Sequence, residues 1–415
     1  MTSITPFPLA DFLAPAPAPA SLRRHIVVLA PPWYPVPPLG YGGIEVVVSL
    51  LTTELRARGH RVTLFAAEGS DLLAVVHSPL GWRADLGQPD ERLRELTYAA
   101  RVLASIGNRG AIDVIHDHVG FATLLGSVQL GVAPVLHTVH GSIREPDSAF
   151  YEALRGHVGL AAISESQRQS APKLPWIGTV PNAVSVGNLA VRKREETEPY
   201  LLCLARICPD KGQHLAIEVA RRTGLRLILA GKVDSTSLGR DYFDRQVSPA
   251  VDGDHVIHLA NVSGHEKAWL LAHATALLAP IQWEEPFGLS VVEAMASGTP
   301  AISMARGSAP ELIDEGLTGF LVHDVDEMVA AVRRAGSIEP ARCAALTRAR
   351  FSPAVMADAY LRLYESVEPS FTGLRQPLRI GSDAALRSAS EQLQPGWLRD
   401  HPSHRRSTVI DAGVA

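Results

Sequence analysis

The strongest candidates for chemistry are two glutamates, Glu285 and Glu293, which are separated by seven residues. The pattern around them predicts a helix that begins near Gly288–Leu289 and ends at Gly298. The first turn of such a helix offers free N–H groups to an anion. Because carboxylates accept hydrogen bonds from sugar hydroxyls, the two glutamates could flank one phosphate ester and hold a sugar on either side of it. A solvated helix glutamate is the alternative for Glu293, although its apolar neighbours place it beside the buried face.

Two cations follow a predicted strand in the second half of the chain. Arg206 and Lys211 lie on the loop after Tyr200–Ala205. They would suit a diphosphate, and the arginine adds a pair of parallel donors. Taken alone, two solvated surface charges are the commoner explanation for such residues.

A glycine-rich run, Gly40–Glu45, opens a predicted helix in the first half of the chain. Glycines such as Gly42 and Gly43 let the backbone approach a ligand closely, and phosphate is the ligand that a helix N-terminus typically binds. The run is neither GxGxxG nor a Walker loop. An ordinary loop before a helix therefore explains it equally well when it is taken alone.

Histidines stand at the ends of two predicted strands of the first half. His116 and His118 flank Asp117, and this His-x-His spacing could bind a metal or could belong to a neutral core. No third ligand follows at a recognisable interval, so we predict no metal site and expect these three residues on the acceptor side. His140 precedes Gly141 and is expected to project into a cleft.

Two further patterns are assigned to helix capping. Ser308 and Glu311 have the spacing of a capping box. Asp324 and Asp326 could bind a metal–diphosphate, but a cap before the following helix explains them better. The sequence contains no HExxH, GxSxG or Walker lysine motif.

The elements that would position these residues alternate between strand and helix. Short β-branched runs such as His25–Ala30 and Arg61–Ala66 are followed by segments with helical periodicity. The same alternation returns after the charged stretch Arg192–Glu198, which is the best linker candidate. The pattern predicts two α/β domains in tandem, divided near residue 195, with ligands bound at the carboxyl ends of the strands.

Composition excludes several classes of protein. The chain has 415 residues, 46% of them apolar and 20% charged, with a formal net charge of -4. That charge argues against a nucleic-acid binder, and no apolar run is long enough to span a membrane. Three cysteines without CxxC spacing and a start that lacks a secretory signal favour a reducing cytoplasm.

Together these residues resemble the retaining glycosyltransferases of family 4, which have the GT-B fold. The resemblance covers about residues 24–367. The motifs that carry it are Gly42-Gly43-Ile-Glu, Val139-His-Gly, Arg206 with Lys211, Glu285-Pro-Phe-Gly-Leu with Glu293, Gly298-Thr-Pro, and Gly307-Ser-Ala-Pro-Glu311.

The resemblance implies a division of the chain. We expect a flexible Pro/Ala-rich lead at 1–23, a Rossmann-like acceptor-side domain at 24–194 and a Rossmann-like donor domain at 195–350. A helix at 351–368 is expected to cross back to the first domain. An extension at 369–415 lies outside the family pattern, and it could cover the cleft, mediate a homodimer or be disordered.

The resemblance also implies roles for the donor site. The backbone of Gly43, in the Gly42-Gly43 pair, would meet the distal phosphate, and Arg206 and Lys211 would neutralise the diphosphate. Glu285 would hold hydroxyls of the transferred sugar beside the backbone of Phe287–Leu289, a run that includes Gly288. Glu293 would accept from the ribose, and His140 would line the reaction centre. Such enzymes need no metal, so we predict no cofactor, only a UDP or GDP sugar as co-substrate.

The family further implies front-face attack by the acceptor, with the departing phosphate oxygen taking the acceptor's proton. We expect a small soluble acceptor, such as a secondary metabolite or a thiol-pathway intermediate. Two alternatives stay open, a nucleotide-sugar epimerase and a non-catalytic sugar-nucleotide binding protein. An epimerase would work without an acceptor, and a non-catalytic protein would be expected to lack one of the charged residues.

Overall fold

A computed structural model describes residues 23–70, 75–77, 90–107, 110–185, 191 and 198–367, with the backbone alone for 75–77. The lead, most of the charged linker and the extension beyond residue 368 lie outside the described residues. The short helix predicted for Ser382–Gln394 lies outside them as well.

The first lobe is a parallel sheet of seven described strands in the order β3-β2-β1-β4-β5-β6-β7. Its strands are β1 His25–Leu29, β2 Arg61–Phe65, β3 Val75–His77, β4 Val114–Asp117, β5 Val135–Thr138, β6 Gly159–Ala162 and β7 Trp176–Thr179. Its helices are α1 Gly43–Ala57, α2 Glu91–Gly107, α3 Phe121–Leu130, α4 Glu145–Ala153 and α5 Glu165–Ser170.

The second lobe is a parallel sheet of six described strands in the order β10-β9-β8-β11-β12-β13. Its strands are β8 Tyr200–Leu204, β9 Arg226–Ala230, β10 Val256–Leu259, β11 Ala276–Ala279, β12 Ala301–Met304 and β13 Gly319–Val322. The helices that follow in chain order are α6 Gln213–Thr223, α7 Ser237–Tyr242, α8 Gly264–His273, α9 Leu289–Ala296, α10 Ala309–Leu312, α11 Val325–Arg334, α12 Pro340–Phe351 and α13 Pro353–Val367.

The central strands of the first sheet could be predicted because they are buried on both faces. Every residue of β1, β4 and β5 is buried, as expected for parallel strands with helices on both faces. The edge strand β7 is only half-buried, and its pairing with β6 contains a register shift. Its pattern is therefore weak, which is why the sequence predicted only Thr179–Val180 there. Both sheets belong to one compact unit, and the domain limits near residue 195 remain a prediction.

Helix α13 returns to the first lobe, so the predicted crossing is confirmed. Its Tyr360 and Tyr364 are fully buried in the core of the first lobe, where the helix contacts α1, β5 and β7. Arg58, which follows the last residue of α1, forms an ion pair with Asp358 of α13.

The chain passes between the lobes twice, after β7 and again after α12. Within the described residues the two passages begin next to each other, since the N–H of Val184 donates to the carbonyl of Phe351 at 3.0 Å. Of the helices in the described part of the chain, none is long and apolar enough to cross a bilayer.

Candidate active site

A cavity of about 740 Å³ lies between the carboxyl ends of the two sheets. The size is within the range of small-molecule sites. Predicted site residues that line it are Gly42, Gly43, His118, His140, Arg206, Lys211, Glu285, Phe287, Gly288, Leu289 and Glu293. Residues distant in sequence therefore face one space.

The loop before α9 has the local structure that the sequence predicts. Gly288 caps α9 with a φ of 90°, a conformation that costs glycine little. The helix then runs over Leu289–Ala296, and its first turn faces the cavity. Phe287 is buried and packs edge-on against Phe351, with ring centroids 6.1 Å apart. This apolar anchor fixes the loop that carries Glu285.

Lys211 and Glu285 form an ion pair at the cavity wall. The indole Nε1 of Trp283 donates to the same carboxylate at 2.9 Å, and the Lys211 Nζ lies 5.2 Å from the centroid of the Trp283 ring. Both charged side chains are mostly buried, so each is held in place by its partner. A diphosphate entering here would meet a cation that is already oriented.

The remaining charged site residues are paired with residues that the sequence did not suggest. Arg206 Nη1 lies 2.5 Å from the carboxylate of Asp234, and Lys267 Nζ lies 2.6 Å from the carboxylate of Glu293. Burial raises the pKa of Asp234, but hydrogen bonds from Thr236 and the charge of Arg206 outweigh it and lower the pKa overall. Asp234 lies just beyond the carboxyl end of β9, so its position after a strand was an available signal.

Lys232 is another cavity residue that the sequence reasoning missed. Its Nζ lies 5.7 Å from the ring centroid of Tyr34 and 5.9 Å from that of Tyr41. Lys232 follows β9 of the second lobe, whereas both tyrosines belong to the first, so the contact spans the cavity.

The glycine loop of the first lobe forms the N-terminus of α1. Gly42 has a φ of 151°, and a Cβ there would lie 2.8 Å from Pro38. A Cβ on Gly43 would lie 3.0 Å from Leu289 of the opposite lobe. Gly42 is therefore favoured by both its φ and its lack of space, whereas a Cβ on Gly43 would require only a small shift of the Leu289 side chain. The free N–H groups of α1 open onto the cavity.

Glu45 lies in the first turn of α1, lines the cavity and is only 3% exposed. Burial raises its pKa to about 7, although a hydrogen bond from its own backbone N–H opposes the shift. Since the unfolded pKa is 4.5, the folded protein keeps this proton while the unfolded chain loses it. The stabilising contribution is complete below pH 4.5 and is lost as the pH rises through about 7.

Replacing Glu45 by glutamine should remove this pH dependence. Relative to the unchanged protein, we expect Glu45→Gln to gain about 2 kcal/mol in free energy of unfolding between pH 5 and pH 8. Urea unfolding of both proteins at the two pH values measures this difference in free energy of unfolding. The titration of all other groups is the same in both proteins and therefore cancels. A gain that is equal at the two pH values would contradict the raised pKa.

The four residues predicted at the strand ends of the first lobe, His116, Asp117, His118 and His140, divide into two pairs. His118 and His140 line the cavity, and His118 Nδ1 lies 2.8 Å from His140 Nε2. His116 and Asp117 are fully buried and are not among the cavity-lining residues. The expectation of acceptor contact at these two positions is therefore corrected.

Hydrogen bonds explain the burial of His116 and Asp117. His116 bonds to the Tyr364 hydroxyl at 2.9 Å and to the Thr138 hydroxyl at 2.8 Å. Asp117 accepts from the N–H of Gly120 at 2.7 Å and lies 2.9 Å from His137 Nδ1. The two residues support the loop that carries His118, and they do not line the cavity.

Ser308 is the N-cap residue of α10, as predicted, but the side-chain hydrogen bonds of a capping box with Glu311 are not formed. The Ser308 hydroxyl donates to the carbonyl of Phe287, and Glu311 accepts from the N–H groups of Glu165 and Ser166 at 2.8 and 2.6 Å. Glu311 thus caps α5 of the other lobe. The described residues contain no group of three or more histidine, cysteine, aspartate or glutamate side chains arranged to hold a metal ion.

Two protein families match the chain in its two halves. "Glycosyltransferase Family 4" matches residues 41–185 and "Glycosyl transferases group 1" matches residues 188–350. A D-inositol 3-phosphate glycosyltransferase of Mycobacterium marinum is 32% identical over 57% of this chain, and the match spans only half of that protein's length.

Longer matches have lower identity. A protein of the same description from Mycolicibacterium smegmatis is 25% identical over 78% of this chain and 86% of its own. A phosphatidyl-myo-inositol mannosyltransferase of Mycobacterium leprae is 26% identical over 79% of this chain and 94% of its own.

Solved structures share the fold at low identity. Sucrose-phosphate synthase of Thermosynechococcus elongatus superposes with a TM-score of 0.67 at 19% identity, over 83% of this chain and 99% of its own. HepE of Anabaena, in complex with UDP-glucose, superposes with a TM-score of 0.65 at 16% identity, over 83% of this chain and 100% of its own. AviGT4, described as involved in avilamycin A biosynthesis, superposes with a TM-score of 0.62 at 22% identity, over 83% of this chain and 98% of its own.

Proposed function

Because this chain is a family-4 glycosyltransferase with the GT-B fold, we propose that it transfers a sugar from a nucleoside-diphosphate sugar to a small acceptor with retention of configuration. The observation that carries the proposal is that Arg206, Lys211, Glu285 and Glu293 all line one cavity with the first turn of α9. We further propose the domain limits 24–194 and 195–350 for the acceptor side and the donor side.

The donor would lie against the second lobe. Its diphosphate would bind Arg206 and Lys211, with the backbone N–H of Gly43 at the distal phosphate. Glu285 would accept from the hydroxyls of the sugar, and Glu293 from those of the ribose. The HepE structure is described as a complex with UDP-glucose, which supports a nucleoside diphosphate of the UDP or GDP type here.

The chemistry requires charge stabilisation more than a strong nucleophile. As the bond from the anomeric carbon to the phosphate oxygen breaks, negative charge grows on the diphosphate and the sugar gains oxocarbenium character. Fixed cations and helix N–H groups favour this state over the ground state. The acceptor oxygen then forms the new bond on the same face, and its proton passes to the departing phosphate oxygen.

The acceptor would enter from the first lobe. Relatives are described as acting on D-inositol 3-phosphate and phosphatidyl-myo-inositol. For this chain we propose a small soluble polyol or thiol-pathway intermediate, which would enter the cavity beside His140 and Glu45.

A thermal-shift screen tests the donor site. Of UDP, GDP, ADP and TDP, the correct nucleotide should raise the melting temperature, since a ligand at about 100 times its Kd adds about 2.7 kcal/mol. Lys211→Ala should abolish the rise, and Lys173→Ala, at an exposed lysine outside the cavity, should keep it. No rise with any nucleotide would contradict the proposed donor class.

Incubation with a nucleotide sugar alone separates transfer from epimerisation. A transferase should release only free sugar, and slowly, because water is a poor acceptor. Formation of a second nucleotide sugar would instead indicate an epimerase.

A further inference from the structure

His118 and His140 share one hydrogen bond at the edge of the cavity. His118 Nδ1 and His140 Nε2 are 2.8 Å apart, and the rings are stacked with centroids 5.2 Å apart. Burial lowers the pKa of both rings, to about 3 for His140, so both are neutral near pH 7. A neutral pair holds a single proton between these two nitrogens, and one ring must be the donor.

The far nitrogen of His118 decides which ring donates. His118 Nε2 is buried and has no hydrogen-bond partner among the described residues. If His140 donated, His118 Nε2 would carry a buried N–H without an acceptor, which is rare and costly in proteins. If His118 donates from Nδ1, only a lone pair is left without a partner, which is the cheaper arrangement.

The surroundings hold the His118 ring in this orientation. The His116 ring lies 4.1 Å away and the Tyr360 ring 6.5 Å away, centroid to centroid. His116 is itself fixed, because both of its nitrogens are hydrogen-bonded, to Tyr364 and to Thr138. The returning helix α13 therefore supports the ring that contacts His140.

We propose that His118 is a positioning residue that holds His140 in the tautomer protonated at Nδ1. With Nε2 accepting from His118, the only N–H of the neutral His140 ring is at Nδ1, for which no partner is found among the described residues. His140 lines the cavity, so this N–H is available to a sugar hydroxyl or a departing phosphate oxygen. The identity of that ligand rests on the proposed function, whereas the tautomer does not.

Nitrogen-15 NMR tests the tautomer directly. The chain has 16 histidines, and comparison with His140→Gln identifies the His140 signals in two-bond proton–nitrogen spectra. We expect the pattern of a neutral ring protonated at Nδ1. A ring protonated at Nε2 would overturn the proposal, whether or not the protein transfers sugar.

Two substitutions at His118 separate donation from packing. In His118→Asn the amide nitrogen can take the place of Nδ1 and keep an N–H, whereas His118→Leu fills the space without one. We expect His118→Leu to lower kcat by roughly tenfold to a hundredfold, the size of effect seen for residues that orient metal-binding histidines, with little change in donor KM. His118→Asn should restore most of kcat and keep the Nδ1 pattern of His140.

The outcomes are distinguishable from failure of the proposed function. Equal loss of kcat in the two variants would show that His118 acts only through packing. Unchanged kcat in His118→Leu would also overturn the proposal. If His118→Leu does not fold, the spectra of the unchanged protein and of His118→Asn decide. If the unchanged protein shows no transfer, the proposed function fails while the tautomer result stands.

Discussion

Replacing Glu285 by glutamine is expected to lower the rate of sugar transfer by about a hundredfold or more, while the protein remains folded. The substitution removes the charge that pairs with Lys211, and it would weaken the proposed acceptor for the hydroxyls of the transferred sugar. Loss of one preorganised electrostatic contact to a transition state costs about 10²–10³ in kcat. Initial rates with the nucleotide sugar found in the thermal-shift screen measure the effect.

Glu284 provides the matched control, because it is the adjacent residue and has the same side chain. It is exposed, does not line the cavity, and accepts from the N–H of Gly307 at 2.6 Å. Glutamine can keep that hydrogen bond, so Glu284→Gln should be nearly as active as the unchanged protein. Equal rates in the two variants would remove Glu285 from the donor site.

Alanine at Gly307 should both destabilise the protein and reduce its activity. Gly307 has a φ of 55°, and a Cβ there would lie 2.4 Å from the backbone N and O of Glu285. The left-handed conformation costs a residue with a Cβ about 1–2 kcal/mol, and relieving the clash costs about 1–3 kcal/mol more. Because the backbone of Glu285 must move, we expect roughly a hundredfold loss of transfer as well.

Gly316 separates the conformational cost from the clash. Its φ is 72°, but a Cβ there would meet nothing within 4 Å. Gly316→Ala should therefore lose only about 1–2 kcal/mol, with unchanged turnover. Urea unfolding and initial rates for both alanine variants measure the difference, and an equal loss of stability in the two would contradict the close approach of Gly307 to Glu285.

The loop before α9 and the helix itself could be predicted from the sequence because their determinants are local. Gly288 at the start of a helix, Gly298 at its end and an apolar stripe between them specify α9 without information from elsewhere in the chain. The free N–H groups of its first turn then follow from helix geometry. Strands β1 and β8 were predictable for the same reason, since their apolar runs are nearly continuous.

Contacts between distant segments could not be predicted in this way. Lys267 of α8 meets Glu293 of α9, and Glu311 of the second lobe caps α5 of the first. Such contacts depend on how helices pack, which the spacing of residues along one helix does not specify. His116 shows the same limit, because its burial depends on Tyr364, which lies 248 positions further along the chain.

The hydrogen bond between Val184 and Phe351 joins the described starts of the two interlobe passages. Two tethers that leave a body side by side act as a pivot, since they hold one point and let the rest swing. Displacement in such a swing grows with distance from the pivot. Phe287 packs against Phe351, so the loop before α9 would be displaced little by such a swing, whereas contacts that join the two lobes, such as Lys232 with Tyr34 and Tyr41, would lengthen or break.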